Sequence, residues 1–405
     1  MQQRDLLIIG GGPGGSAAAM RAARAGLKVT LFEKGAHGRD KVCGDGLTPR
    51  AIAALQELDI DITPAHRIDG LRMIAGKRTR ELLWPATDRF PGHGAVWPRR
   101  RFDNHLLDIA IAAGAELRFE TEALPIMEGD RVVGVQAGGE RFEAPLTILA
   151  AGAQGAAAKI VGAERDPNEP FGLAIRAYAP TPRHAERYLE ACLSLRDEHG
   201  VAVPGYGWMF PAGDGTVNIG VGALSTMKGF KKLNLNTLLD QYAAIVREPW
   251  SLGEYVEKPR AWRLPMSSLK RSGPGWVAVG DAAGFVNPMN GEGIDYALES
   301  GTLAVDQFVV HGANAPAEYD RLVGERFDQF LATGRRFSFI IGHPWLLRPG
   351  LRVAVGTQAA ADVTLKVMGN LIDGQTPGAA GRVMRLAAGT LKLADPLLRR
   401  TRAAG

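Results

Sequence analysis

Tyr206, Trp208 and Phe210 stand at alternate positions in the stretch VPGYGWMFP, residues 203 to 211, which Pro211 closes. In an extended backbone a period of two puts all three rings on one face. Such a face can attract positive charge that develops on a bound substrate, and the Tyr206 hydroxyl could relay a proton. Gly205 and Gly207 leave the opposite face nearly bare, so a second surface or a ligand ring could approach the backbone there. An aromatic core strand gives the same pattern. The choice between wall and core depends on whether the chain supplies a reactive group for the rings to face.

Two glycine-rich segments supply that group. Asp5-Leu6-Leu7-Ile8-Ile9 is a short apolar run of strand type, followed by GGGPGGS and an alanine-rich helical segment to Gly26. Gly10, Gly12 and Gly15 fit G-x-G-x-x-G: a tight turn, a close backbone approach to a pyrophosphate, and helix packing on strand, with free amides facing the anion. A second strand, Lys28 to Phe32, ends at Glu33, where a carboxylate can accept the hydroxyls of an adenosine ribose. Near residue 280 a strand, WVAV, runs into Gly280-Asp281-Ala282-Ala283-Gly284, a loop through Pro288, and Gly291-Glu292-Gly293-Ile294 opening a helix. Asp281 suits ribityl hydroxyls. The amides at Gly293 and Ile294 would carry the positive end of a helix to a flavin pyrimidine edge, so FAD is expected rather than NAD.

The elements that hold these residues belong to a long chain. With 405 residues there is material for two or three domains and a large core. Two cysteines, Cys43 and Cys192, build no disulfide framework and point to a reducing cytosol. The first strand begins at once, so no signal peptide is expected. The apolar run from Phe337 to Leu347 is interrupted by His343 and Pro344 and is too short to span a bilayer. Residues 331 to 405 carry eleven Lys or Arg against three Asp, a surplus of +8 in a chain of net charge +5, which leaves −3 for the first 330 residues. Within that tail Arg382, Arg385 and Lys392 share a helical face, with Val383, Leu386, Leu393 and Leu397 elsewhere, as in an interfacial helix on a membrane surface; a solvated capping helix has the same pattern. Neither a recognition helix nor a basic and aromatic stripe suggests nucleic acid. No metal site is expected.

On GGGPGGS, the segment Lys41-Val42-Cys43-Gly44-Asp45-Gly46-Leu47, the Tyr-x-Trp-x-Phe-Pro box at 206 to 211, and GDAAG with GEGI, the chain from residue 4 to about 310 resembles the geranylgeranyl reductase family of FAD enzymes. GYGWMFP, VNIGVGALST and NPMNGEGIDYALE are most similar to its members that saturate an isoprene unit of menaquinone. The resemblance implies FAD contacts at Gly14, Glu33, Cys43, Gly44, Gly46, Arg99, Ala123, Asp281, Gly293 and Ile294. It places Cys43 beside the isoalloxazine, where the thiol could give a proton or merely pack. Arg100 and Arg101 adjoin Arg99, so its register rests on Phe102-Asp103. One departure stands out: Ala151, within Thr147 to Ala153, occupies the position of an aspartate that related hydroxylases use with pyridine nucleotides. The electron donor is therefore open among NAD(P)H, ferredoxin and another carrier. Pro204 also falls one position later than the family pattern.

The expected fold is mixed α/β. A Rossmann-like FAD-binding domain from residues 1–75, 95–160 and 265–330 is interleaved with an antiparallel-sheet substrate domain from 76–94 and 161–264, and a helical region follows from 331 to 405. An isolated isoprene double bond has no carbonyl to take up charge, so hydride from reduced flavin must be matched by a proton to the other carbon. The tertiary-cation-like centre would be stabilised by Trp208, Tyr206 and Phe210 in a dry pocket. A geranylgeranyl phospholipid or diphosphate would present the same isoprene to the pocket and is the alternative substrate; a flavin monooxygenase or halogenase, or a non-catalytic prenyl-lipid escort, are the other classes. The halogenase box carries Trp and Ile where Tyr206 and Phe210 stand, and an escort would need no Asp281.

Overall fold

The computed structural model describes residues 2–342 and 355–372, with Gly389 alone beyond them. The basic face of Arg382, Arg385 and Lys392 lies outside the described residues, as does the end of the apolar run after residue 342.

Leu6–Ile9 is buried along its whole length, as a strand covered on both faces must be. It pairs in parallel with Val29–Phe32 and with Leu146–Leu149. Glu116–Arg118 extends one side, and Trp276–Ala278 with Ser272–Gly273 extends the other, completing a six-stranded sheet. The helix Pro13–Arg24 crosses this sheet with Ala17, Ala18 and Ala19 fully buried. Pro13 suits its first turn, where an amide would have no helical partner. The long helix Ile294–His311 packs tightly against it: a Cβ at Gly301 would stand 2.2 Å from the Gly14 carbonyl oxygen. A smaller sheet, Gln2–Gln3, Glu140–Glu143, Arg131–Ala137 and Ala123–Glu128, lies beside this unit.

The second layer is a seven-stranded sheet in the order Arg260–Pro265, Phe171–Pro180, Thr216–Leu224, Gly205–Pro211, Tyr188–Cys192, Gly70–Ala75, Arg78–Leu83. It is antiparallel apart from the pairing of Tyr188–Cys192 with Gly70–Ala75. Thus the sheet takes residues 70–75 as well as 78–83, because Arg78–Leu83 folds back as a hairpin on Gly70–Ala75. One sheet face, with Ile175, Ala177, Met209, Ile219 and Val221, is buried under the helix Leu235–Trp250. Asn234 caps that helix, its side chain accepting from the amides of Asn236 and Thr237 at 3.0 and 3.3 Å.

The other sheet face looks toward the dinucleotide unit, and its register fixes what it presents. Trp208, Gly220, Arg176 and Arg260 form one row across four strands; Tyr206, Gly222, Ala174 and Trp262 form the next. Past the dinucleotide unit, the helices Gln329–Ile341 and Gln358–Met368 close the side. Thr357 caps the second through a 3.2 Å bond from the Ala360 amide.

Candidate active site

A cavity of about 1370 Å³ lies between the two large sheets. Of the residues expected to act, Gly10, Gly12, Gly14, Glu33, Cys43, Gly44, Arg99, Ala123, Tyr206, Trp208, Phe210, Asp281, Gly293 and Ile294 line it. Gly15 and Gly46 do not. A Cβ at Gly15 would stand 1.9 Å from the Gly10 carbonyl oxygen, and one at Gly46 would stand 3.2 Å from the Phe210 ring. Gly15 thus packs helix on strand, and Gly46 packs against Phe210.

The glycine turn fits a pyrophosphate. Gly10 has φ +109, with Ala150 against its backbone, so only glycine turns there. A Cβ at Gly12 would meet nothing within 4 Å, which leaves that backbone open to a ligand. No side chain caps the helix at Gly12, and its first amides face the cavity end free for an anion. Glu33 is held ready by the amides of Gly11 at 2.9 Å and Gly35 at 2.8 Å and by Arg39 at 3.0 Å. Burial pushes its carboxyl up, but the charge and hydrogen bond of Arg39 with the two amides leave it below the usual range, hence ionised. Opposite, the helix at Ile294 also lacks a side-chain cap, and Asp281 comes within 3.1 Å of where a Gly293 Cβ would be. These features are the parts an FAD molecule needs: an anion nest, a ribose acceptor, a ribityl acceptor and a helix N-terminus.

The aromatic residues do share one face. Tyr206 and Trp208 have ring centroids 5.8 Å apart, Trp208 and Phe210 6.1 Å. Trp208 is 5 % exposed and lies over Gly220, whose Cβ would stand 2.1 Å from its ring. It is thus both wall and packed core. The bare side of the strand is filled at Gly207, which takes the Tyr242 ring 2.8 Å from a built Cβ, whereas Gly205 lines the cavity. Tyr206 donates its hydroxyl to the Asn290 carbonyl, so its proton is committed to the backbone.

Arg99 is buried and lines the cavity, while Arg100 and Arg101 are exposed. Its guanidinium is held bidentately by Asp103 at 2.7 and 2.8 Å. Burial pushes the Cys43 thiol up, Arg99 opposing and Asp45 adding, so Cys43 stays protonated.

Four features escaped sequence reading. Lys41 faces the cavity 4.1 Å from the Trp262 ring, its ammonium pKa lowered by burial and partly restored by Asp281. Asp45 is fully buried behind the wall. Glu292, inside the GEGI turn, has its carboxyl pushed well up by burial and is held by the Thr48 hydroxyl at 2.6 Å. The fourth is an apolar arm. Phe330, Thr333, Gly334, Phe337, Ile340 and Ile341 from one C-terminal helix, and Val363, Thr364, Val367 and Met368 from the other, line it without a charge. The spacing of three and four along Phe330 to Ile341 was the legible signal. Among the described residues no helix is long and apolar enough to cross a membrane.

The geometry agrees with what known proteins show. A family model described as FAD binding domain matches residues 3–305. The menaquinone reductase of Mycolicibacterium smegmatis is 37% identical over 394 residues, covering 95% of each chain. Digeranylgeranylglycerophospholipid reductase 3 of Methanosphaera stadtmanae is 31% identical over 319 residues, 75% of this chain and 77% of that one. A solved structure, a geranylgeranyl bacteriochlorophyll reductase-like protein from Thermoplasma acidophilum, superposes with TM-score 0.76 at 24% identity over 96% of this chain and 100% of its own. The chain belongs to the FAD-binding domain family and, within it, to the geranylgeranyl reductases.

Proposed function

We propose that this FAD-dependent reductase saturates isoprene double bonds in the side chain of a prenyl lipid, with menaquinone as its substrate. The observation that carries the reading is the apolar arm. It is the part of the cavity lined by two helices whose charged residues, Arg335, Arg336, Asp362 and Lys366, stay out of the lining, and Tyr206, Trp208 and Phe210 line the same cavity. A polyisoprenyl tail is a long uncharged chain, and burying it there releases its water. The name and 95% coverage of the mycobacterial relative favour menaquinone over a prenyl phospholipid.

Reduced FAD, when bound, supplies the hydride. The protein's own residues do the rest. The glycine turn, Glu33 and Asp281 hold and orient the cofactor, with Gly44, Arg99, Ala123, Gly293 and Ile294 around it. The arm excludes water that would trap a cationic centre, and the faces of Trp208 and Tyr206 stabilise it. Cys43, kept as a thiol by burial, holds the proton that the second carbon needs. Ala151 lines the cavity where related hydroxylases carry an acid, which supports a separate electron carrier over direct use of pyridine nucleotide. A quinone side chain lies in the bilayer, so the protein would work peripherally at the cytoplasmic membrane face, with the basic surplus of residues 331–405 toward anionic lipid.

The test is a quinone lipid profile, by mass spectrometry, of a strain lacking the gene. Loss of the species two hydrogens heavier supports the reading. An unchanged quinone profile with altered phospholipid chains moves the substrate to the phospholipid.

A further inference from the structure

Asp45 is a fully buried carboxylate in the left-handed region, φ +64, two residues past Cys43. Aspartate is among the few non-glycine residues that adopt this backbone readily. Its Oδ2 accepts from the Tyr178 hydroxyl and, at 2.8 Å, from Asn218 Nδ2; its Oδ1 accepts from the Arg99 amide at 3.1 Å. Asn218 is itself fully used. Nδ2 also donates to the Cys43 carbonyl at 2.8 Å, and Oδ1 accepts from Trp208 Nε1 at 2.9 Å. The indole can only donate, so the amide can face only one way.

We propose that Asp45 is a positioning residue: through Asn218 its carboxylate sets both the Trp208 ring and the Cys43 peptide, with Tyr178 holding the carboxylate in place. The proposal rests on the reading that Trp208 and Cys43 serve isoprene reduction. It explains why a charge is kept behind an aromatic wall, since one acceptor ties the loop carrying the thiol to the strand carrying the ring. The groups facing Asp45 are Tyr178 and Arg176 on one strand, Arg99 with Asp103 on the helix Arg99–Ala112, and Cys43 on its own segment. Arg176 is shared with Asp40 at 2.5 Å and Glu257 at 2.6 Å. Burial raises the Asp45 pKa to about 6, opposed by the Tyr178 and Asn218 bonds, the charge of Arg176 and the Arg99 amide. Below that pH a protonated Oδ2 can no longer accept from Asn218 as before, and the link to Trp208 and Cys43 loosens.

The experiment uses holoenzyme on either side of pH 6, with two readouts. One is single-turnover oxidation of the photoreduced enzyme by a prenyl quinone. The other is alkylation of Cys43 by iodoacetamide in a Cys192→Ala background, which needs no substrate. Wild type should lose rate below pH 6, and its log alkylation rate should bend there away from the straight thiolate line. Asp45→Asn, a residue that tolerates left-handed backbone, should retain FAD, lose both breaks and turn over about tenfold or more slowly at neutral pH. Tyr178→Phe should move both breaks to higher pH, because a bond favouring the carboxylate is gone. A straight alkylation line in wild type, the same bend in Asp45→Asn, or flavin lost in step with activity would each overturn the proposal. Absence of turnover in wild type with the alkylation bend intact would sink only the substrate reading.

Discussion

Tyr206 donates its hydroxyl hydrogen to the carbonyl oxygen of Asn290 at 2.5 Å, and the Asn290 side chain donates to the Met368 carbonyl at 2.5 Å. One asparagine therefore fastens the aromatic strand, the loop before the flavin-facing helix, and the C-terminal helix that walls the apolar arm. Burial also pushes the Tyr206 phenol up, so the ring rather than the proton is what the site receives. Tyr206→Phe keeps the ring and loses one bond of about 1 kcal/mol, so single-turnover rate per bound FAD should fall less than about tenfold. Asn290→Ala keeps the backbone carbonyl that Tyr206 uses and removes instead the side-chain bonds to Met368 and Glu292, so it should loosen the C-terminal helix with the Tyr206 bond intact. A loss of about a hundredfold or more in Tyr206→Phe, beyond what one hydrogen bond supplies, would return Tyr206 to proton transfer.

Glu33 and Asp281 should govern cofactor retention. Replacing either by alanine removes charge-assisted bonds of about 1.5 to 3 kcal/mol, roughly ten- to hundredfold in FAD affinity. In Glu33→Ala the loss is compounded, since the Gly11 amide loses its partner and Arg39 is left to Asp103 alone. Equilibrium dialysis of FAD with folded protein reads it. Full stoichiometric flavin at wild-type affinity in both variants would contradict the cofactor site.

The packing of Trp208 on Gly220 gives a sharper handle than truncating the indole. A methyl at Gly220 would stand 2.1 Å from the ring and 2.5 Å from the Ile175 carbonyl oxygen, so Gly220→Ala must displace Trp208, strain its bond to Asn218 and cost some sheet stability. Turnover should fall with flavin content unchanged. Trp208→Phe should also alter turnover or the number of bonds saturated, with melting temperature close to wild type. If both variants lose only stability, turning over normally per folded enzyme, the box is core and nothing more.

The sequence disclosed much of this because its signals are local. Strand, glycines, helix, strand and acid from residue 5 to 33 fall within one supersecondary unit, and turn chemistry at Gly10 is legible from the residue type alone. The period of two at Tyr206, Trp208 and Phe210 likewise predicts a shared face. What the pattern could not show was long-range pairing. Nothing near Gly207 announces that Tyr242 of a distant helix fills its bare side. Nor does Asp45 reveal that Tyr178 and Asn218, far along the chain, will meet its carboxylate. The strand Gly70–Ala75 falls in the second sheet because its partner Tyr188–Cys192 comes over a hundred residues later. The lining of the arm was visible as helical spacing from Phe330 to Ile341, but an apolar stripe alone does not distinguish a channel from a core.

Asp45 should leave a trace in stability as well as in rate. Its folded pKa of about 6 lies above the unfolded value, so the folded state binds the proton more tightly. Its contribution therefore worsens as pH rises from about 4 to about 6, by about 3 kcal/mol in total, and stays unfavourable above. Asp45→Asn does not titrate. Relative to wild type, its denaturation midpoint should improve across that interval, whatever constant offset the lost bonds impose. A difference that does not change with pH would mean that Asp45 ionises normally.

The most direct test is the fate of one prenyl quinone at one reduced enzyme. Photoreduced holoenzyme, free of any electron donor and of oxygen, is mixed with menaquinone, and flavin reoxidation and product mass are followed together. Reoxidation should be stoichiometric with the appearance of a quinone two hydrogens heavier in its side chain, with the ring still able to cycle between quinone and quinol. Flavin reoxidised with only the ring reduced, or a product that gains oxygen when air is admitted, would contradict isoprene saturation as the reaction of this site.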